Sequence, residues 1–330
     1  MNRTFDTLPG ISLPVPEVAH QIAAMWRENE GGVEQPLSNA HALQMNLIIH
    51  FGLETSAEEG QRIFEVAIQF SQKYPCRIII LCPEEPTGEE IALDAKLYSQ
   101  CFLGGDRDQC CCEALILGYG TNEGAFLEDQ LSVWVASDLP IYHWLHRASA
   151  DDIEQHYHNI LGKSRRVVFD SAVDGDSYGN LTRSRPEILS DLANARIARL
   201  RQSLGQFLAA VPPRSLAENL REVTVSAQSQ SKAEAQRFLI WQEANLKRCA
   251  IASEADLTAT AFQLKDLAEN TVSFLESNWT YEDDKQLSWK LTEGSNVAWV
   301  EAMFGERIMR HPVRADHLQP AKALAEALFF

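Results

Sequence analysis

The chain has 330 residues, 45% hydrophobic and 23% charged, which is long enough to need more than one core. With 29 Lys and Arg against 46 Asp and Glu the formal charge is −17, so nucleic acid and anionic membranes are disfavoured as partners. No apolar run approaches the ~18 residues of a membrane span and no leader pattern opens the chain, so a cytoplasmic protein with reduced thiols is expected.

In chain order, Pro9, Pro14 and Pro16 argue for an extended start, followed by a helix over 18–28 that Gly31-Gly32 ends. The run 43–51 has strand length and composition. Ser56-Ala57-Glu58-Glu59 spells a capping box, and Ile63, Ala67 and Phe70 give the helix after it one apolar stripe. The β-branched run 77–81 closes a β-α-β unit. Strands are predicted at 93–101 and 110–117, a helix at 125–137, and a short strand at 141–145 after Asp138-Leu139-Pro140.

The central stretch begins with a strand, 167–169, that ends in Asp170-Ser171. A long helix starting at Pro186 is then predicted, because Leu189, Leu192, Ala193, Ile197, Leu200 and Leu204 recur at helical spacing. Asp191, Arg196 and Arg201 stand among them and call for buried ion pairing, with Asp170 as a further acid. In the second half, strands are expected at 219–227, 257–265, 271–276 and 285–291, and helices at 231–248 and 296–304. A short helix precedes Leu328-Phe329-Phe330, which should dock rather than stay in water.

Both halves thus read β-α-β-β-β-α. The predicted fold class is α/β, with two similar domains joined by a central long helix. The expected divisions are an N-terminal α/β domain over 1–164, a central strand and bridging helix over 165–212, and a C-terminal α/β domain with helical tail over 213–330.

Three patterns invite chemistry. Gly118-Tyr119-Gly120-Thr121-Asn122-Glu123-Gly124 follows a strand and precedes a helix, as a phosphate-binding turn does. Its spacing is not G-x-G-x-x-G, and the following strand ends in His146-Arg147 rather than in an acid. A plain turn is the favoured reading, with NADP binding as the alternative. Cys110, Cys111 and Cys112 alternate faces on a strand and cannot chelate one metal. Buried structural thiols are favoured there over a redox-responsive set. His143 and His146 flank Trp144, and His156 and His158 flank Tyr157; all four are read as ordinary solvated histidines.

Taken together and in order, the segments 8–17, 39–50, 76–83, 110–117, 138–144, 165–171 and 191–201 resemble the glucose-6-phosphate dehydrogenase assembly protein family, OpcA. The most specific piece is Asp191-Leu192-Ala193 followed by Arg196 and Arg201. Asp138-Leu139-Pro140 with Trp144, and Arg166 with Asp170-Ser171, come next. Asn194 and Leu200 stand where many relatives carry tryptophan. The resemblance implies a non-catalytic protein, without cofactor or metal, that binds glucose-6-phosphate dehydrogenase and promotes its active oligomer in the oxidative pentose phosphate pathway. On that reading Asp138, Pro140, Trp144, Arg166, Asp170, Asp191, Arg196 and Arg201 are the structural or partner-surface candidates, and Trp144, Tyr157 and Phe329-Phe330 candidate anchors. Cys110, Cys111 and Cys112 are the candidates for a thiol switch.

Overall fold

The computed structural model describes residues 3–28, 43–85, 93–103, 109–121, 124–154, 161–175, 177–178, 185–268, 271–305 and 308–330. Two units result: Met1–Asp191 with Ala327–Phe330, and Leu192–Glu326.

Unit 1 is built on an eight-stranded sheet in the order β1-β4-β5-β3-β2-β6-β7-β8. The strands are β1 (Ile11–Leu13), β2 (Met45–Phe51), β3 (Cys76–Glu84), β4 (Asp94–Leu103), β5 (Gln109–Gly120), β6 (Ile141–His146), β7 (Arg166–Phe169) and β8 (Leu189–Asp191). β5, β3, β2, β6, β7 and β8 run parallel, while β4 and β1 form an antiparallel edge. Every residue of β2 is buried, as a central parallel strand covered on both faces requires.

Helices cover both faces. Val18 and Ile22 of α2 (Val15–Glu28) and Leu127, Leu131 and Trp134 of α4 (Gly124–Trp134) share one apolar cluster with Ile48, Ile79, Leu115 and Val167. On the opposite face α3 (Ala57–Ser71) buries Ile63, Phe64, Ala67, Ile68 and Phe70. The chain runs outward from β2 through β3 to β5, then returns across β2 to β6, β7 and β8. That is a doubly wound order with its switch point between β2 and β6.

The proline-punctuated start is not wholly extended. A single helical turn, α1 (Thr4–Thr7), precedes Pro9, and β1 pairs with β4 as an edge strand between Gly10 and Pro14. The predicted capping box is present: Ser56 Oγ accepts from Glu59 N, and the Glu59 carboxylate accepts from Ser56 N.

Unit 2 has a six-stranded sheet in the order β10-β9-β11-β12-β13-β14. Its strands are β9 (Leu220–Ala227), β10 (Ala261–Asp266), β11 (Ser273–Tyr281), β12 (Gln286–Thr292), β13 (Val297–Met303) and β14 (Ile308–Arg314). Only β9 and β10 are parallel; the rest form an antiparallel meander. Val223, Trp279, Trp289 and Val300 line the inner face, packed against Ile197, Leu200, Leu204 and Phe238. Gln242 is buried there with its polar groups paired: Ser277 Oγ and Trp279 Nε1 both donate to its Oε1 at 2.7 Å. On the other face Lys290, Trp299 and Arg310 meet solvent.

The α/β class is as predicted, but the two halves are not duplicates: unit 1 is doubly wound with three layers, while unit 2 carries its helices on one face of a mainly antiparallel sheet. Residues 297–303, expected as helix, are β13. Ala298, Val300 and Ala302 are buried while Val297, Trp299 and Glu301 are exposed, a period of two rather than 3.6.

The long central helix is also corrected. Pro186 starts only a 3₁₀ turn (Pro186–Ile188), β8 pairs with β7, and helix begins at Leu192. It is then interrupted at Ile197 (φ −91°, ψ 10°), giving α5 (Leu192–Arg196) and α6 (Ala198–Leu208). The unit boundary at Asp191/Leu192 falls inside the expected central segment 165–212 rather than at either end of it.

Candidate functional site

In a doubly wound sheet, ligands sit outside the carboxyl ends of the strands, at the switch point. Here that place lies past Phe51-Gly52 of β2 and His146-Arg147 of β6, which are register partners at their ends. The two chain segments touch closely. A Cβ on Gly52 would stand 1.6 Å from the Arg147 carbonyl oxygen, so only glycine fits. Arg147 itself has φ 53°, a left-handed conformation held by the Asp174 carboxylate, which accepts from Arg147 N at 2.9 Å.

The guanidinium of Arg147 folds onto the Glu59 carboxylate. Nε lies 3.1 Å from both oxygens and Nη2 donates to Oε1 at 2.8 Å. This fork, together with the Ser56 contacts, holds Glu59 down at about pKa 2. Glu59 is the N3 residue of α3, so the amino end of that helix is satisfied by the chain's own carboxylate. In dinucleotide-binding folds of doubly wound topology the pyrophosphate takes that position. Here an anion would meet Glu59, with Glu54 and Glu58 nearby in sequence.

Beneath the pair lie buried titratable groups. His50 Nε2 and His143 Nδ1 are 2.7 Å apart, with ring centroids 4.9 Å apart, and both residues are essentially inaccessible. At such a distance one ring donates and the other accepts, so at most one can carry a charge, and burial disfavours that one. Burial pushes His50 down to about 3 and His143 well below its ordinary value, with the neighbouring His50 adding to the effect. His146 is pushed down to about 4, again by burial. Burial raises Asp174 to about 6. Tyr178 OH donates to Ala148 O at 2.6 Å. The His50–His143 contact is a sealed link between β2 and β6, while Asp174 and Tyr178 tie the segment after β7 to Arg147 and Ala148. His143 and His146 are thus not solvated histidines: β6 is an inner strand and takes them into the core. His156, Tyr157 and His158 lie outside the described residues.

The other sequence candidates scatter. Asp138 and Pro140 are exposed, on a loop held by Asn46, whose Nδ2 donates to Ala136 O and whose Oδ1 accepts from Ala136 N, each at 3.0 Å. Trp144 is buried, 5% exposed, and is no exposed anchor. Arg166 is half-buried, with Nη1 donating to Ala327 O at 3.3 Å. Asp170 caps the turn Ser171–Asp174 through Ala172 N, and Asp191 accepts from Ser171 N and Oγ.

Arg196 pairs with Glu234 at 2.6 Å, a partner the sequence did not name. Arg201 is pushed below its ordinary value by burial, and its Nε has no hydrogen-bond partner among the described residues. Phe329 stacks among Phe70, Tyr74 and Tyr142, with centroids 6.1, 4.9 and 5.9 Å away, while Phe330 is 85% exposed.

Cys112 is buried; the side chains of Cys110 and Cys111 lie outside what the structure describes. Among the described residues no group of three or more His, Cys, Asp and Glu is arranged to hold a metal, and no helix is long and apolar enough to cross a membrane. Of the predicted Gly118–Gly124 turn, Gly118, Tyr119 and Gly120 are instead the last residues of β5, in register with Cys82, Pro83 and Glu84 of β3, and Asn122 and Glu123 lie outside the described residues. Gly118 faces the Phe5 ring, 3.2 Å from where its Cβ would be.

The Glu59–Arg147 fork and the histidine pair were missed because their members are 88 and 93 residues apart. Only the capping box marked Glu59, and only the apolar run through His50 hinted at a buried imidazole.

Comparisons with known proteins bear on this arrangement. Residues 67–186 match the family model described as glucose-6-phosphate dehydrogenase subunit N-terminal domain, of the OpcA assembly family. A curated relative, the putative OxPP cycle protein OpcA of Synechocystis sp., is 20% identical over 187 residues, 55% of this chain and 39% of the relative. The chain therefore spans about two fifths of that relative's length. Among solved structures, an aldose-aldose oxidoreductase from Caulobacter crescentus in complex with glycerol aligns over 86% of this chain and 87% of its own. Its identity is 8% and the TM-score 0.43. KijD10, a 3-ketoreductase from Actinomadura kijaniata, aligns over 86% of this chain and 88% of its own at 11% identity and a TM-score of 0.39. Neither likeness is close enough to carry an argument. Residues 67–186, all within unit 1, are thus similar to the N-terminal domain of the OpcA family of glucose-6-phosphate dehydrogenase assembly proteins, a likeness that covers about a third of the chain.

Proposed function

We propose that this chain is a non-catalytic partner of glucose-6-phosphate dehydrogenase that binds the enzyme and favours its active oligomer. The observation that carries the reading is the family match over 67–186. The crevice supports it: in a fold whose switch point serves ligands elsewhere, this chain fills the helix amino end with Glu59 and Arg147. Binding of this kind works by difference. A protein that prefers the active assembly shifts the equilibrium by that preference and no more, so tenfold activation takes only about 1.4 kcal/mol. Of the expected surface residues, Asp138 and Pro140 are exposed, which supports their availability to a partner.

The test mixes the purified chain with the dehydrogenase of the same organism and measures complex mass and specific activity together. A complex at micromolar concentration with raised activity is the expected result. Absence of association across oxidising and reducing buffers would end the reading. A parallel thermal-shift titration with NADP should leave the melting temperature of the chain alone unchanged; a saturable rise would instead favour the Gly118–Gly124 alternative.

A further inference from the structure

We propose that the segment Arg3–Leu8 is a detachable strap, an intramolecular occupant of the crevice at the carboxyl edge of the unit 1 sheet. The inference is independent of the partner reading and rests on how this segment is held. Lys96 Nζ donates to three carbonyl oxygens of the segment, those of Phe5, Asp6 and Leu8, at 2.8, 3.0 and 3.1 Å. The same ammonium lies 4.7 Å from the centroid of the Phe5 ring. One side chain thus satisfies the carboxyl end of a helical turn too short to be stable alone.

The seat is shaped for this occupant by two glycines. A Cβ on Gly118 would come within 3.2 Å of the Phe5 ring, and one on Gly60 within 2.6 Å of Thr4 Cγ2. In doubly wound folds, glycines at such strand and helix ends let a ligand approach the backbone; here they admit the chain's own residues. At the rim, Arg3 Nη1 reaches Glu84 at 2.9 Å and Asp94 at 3.3 Å, and Thr4 Oγ1 donates to Thr55 O at 2.7 Å.

The strap covers the crevice without completing it. A cleft of about 740 Å³ remains, lined by Phe5, Phe51, Thr55, Cys82 and Glu84 among others. Two polar atoms on its walls, Thr55 Oγ1 and Glu84 Oε1, are buried without a hydrogen-bond partner among the described residues. A permanently packed core leaves few such atoms. A cover that lifts exposes them to a group carrying hydrogen-bond donors. The strap's hold is therefore concentrated in Lys96, the rim ion pairs and the buried Phe5 and Leu8 side chains, contacts that a side-chain substitution removes while the backbone pairing of β3, β4 and β5 is kept.

Cys82 reports the opening. It pairs in register with Gly118 and is buried, as is Cys76 six residues earlier on the same face of β3. Native protein, Lys96→Met and Phe5→Ala are exposed to a neutral maleimide, and labelling of each cysteine is followed by peptide mass spectrometry. A detachable strap predicts that either substitution speeds labelling of Cys82 at least tenfold relative to Cys76, with the circular-dichroism spectrum unchanged. Equal Cys82 rates in all three proteins would overturn the proposal. So would a parallel rise at Cys82 and Cys76, which signals opening of the whole unit.

Discussion

At the residue scale, the carboxyl end of the sheet carries opposing pH dependences. Asp174 has a folded pKa raised to about 6, so the folded state holds its proton more tightly than the unfolded chain. Stability from this group is present at low pH and lost as pH rises from about 4 through 6. Asp174→Asn keeps an acceptor for Arg147 N and removes that loss. It should raise stability by about 1–3 kcal/mol at pH 7.5 and have little effect at pH 4, measured by urea unfolding at both pH values.

His50 and His146 act in the other direction. Their folded pKa values, about 3 and about 4, lie below the unfolded value, so their contribution is complete above pH 6.5 and lost as pH falls towards 4. Glu59, held at about 2, adds a further loss on acidification below about 4.5. Arg147→Ala should remove the fork and cost about 1–2 kcal/mol near neutrality, with the acid transition moved to higher pH. An unchanged acid midpoint would show that Glu59 is held by its capping contacts alone.

At the element scale, the central segment shows how an ion pair defines a helix end. Arg196 closes α5 and pairs with Glu234 of the long helix α7 (Lys232–Ser253); the Glu234 side chain is 9% exposed. Removing one partner of such a pair strands the other charge. Arg196→Ala should therefore destabilise unit 2 by about 3–4 kcal/mol, whereas Arg196→Met with Glu234→Leu should recover most of the loss. Equal stability of the single variant and the parent would move Arg196 to an energetically idle position. The break at Ile197 leaves the predicted stripe intact there: Ile197, Leu200 and Leu204, at i, i+3 and i+7, are all fully buried in the unit 2 core.

At the scale of the whole molecule, the terminal residues Ala327–Phe330 count with unit 1, and Phe329 enters an aromatic cluster with Phe70, Tyr74 and Tyr142. Phe329→Ala should lower the stability of unit 1 by about 2–3 kcal/mol, seen as an earlier unfolding transition with Tyr74 fluorescence-edge exposure. Deleting only Phe330, which is 85% exposed, should leave that transition in place. Docking of the tail was expected from its apolarity; that Phe329 rather than Phe330 makes the contact was not.

Local patterns determined much of this protein: the capping box at Ser56, the buried runs of β2 and β3, the alternation of β12 and the family resemblance carried by segments spread over 8–201. Each depends on residues adjacent in sequence or one helical turn apart, where propensity and periodicity act. The tertiary structure alone decided that the halves differ, that 297–303 pairs as a strand, and that Glu59 meets Arg147 while His50 meets His143. The physical reason is that those outcomes follow from burial and pairing between strands distant in sequence, where a single methyl group at Gly52 would break the fit and no local spacing records it.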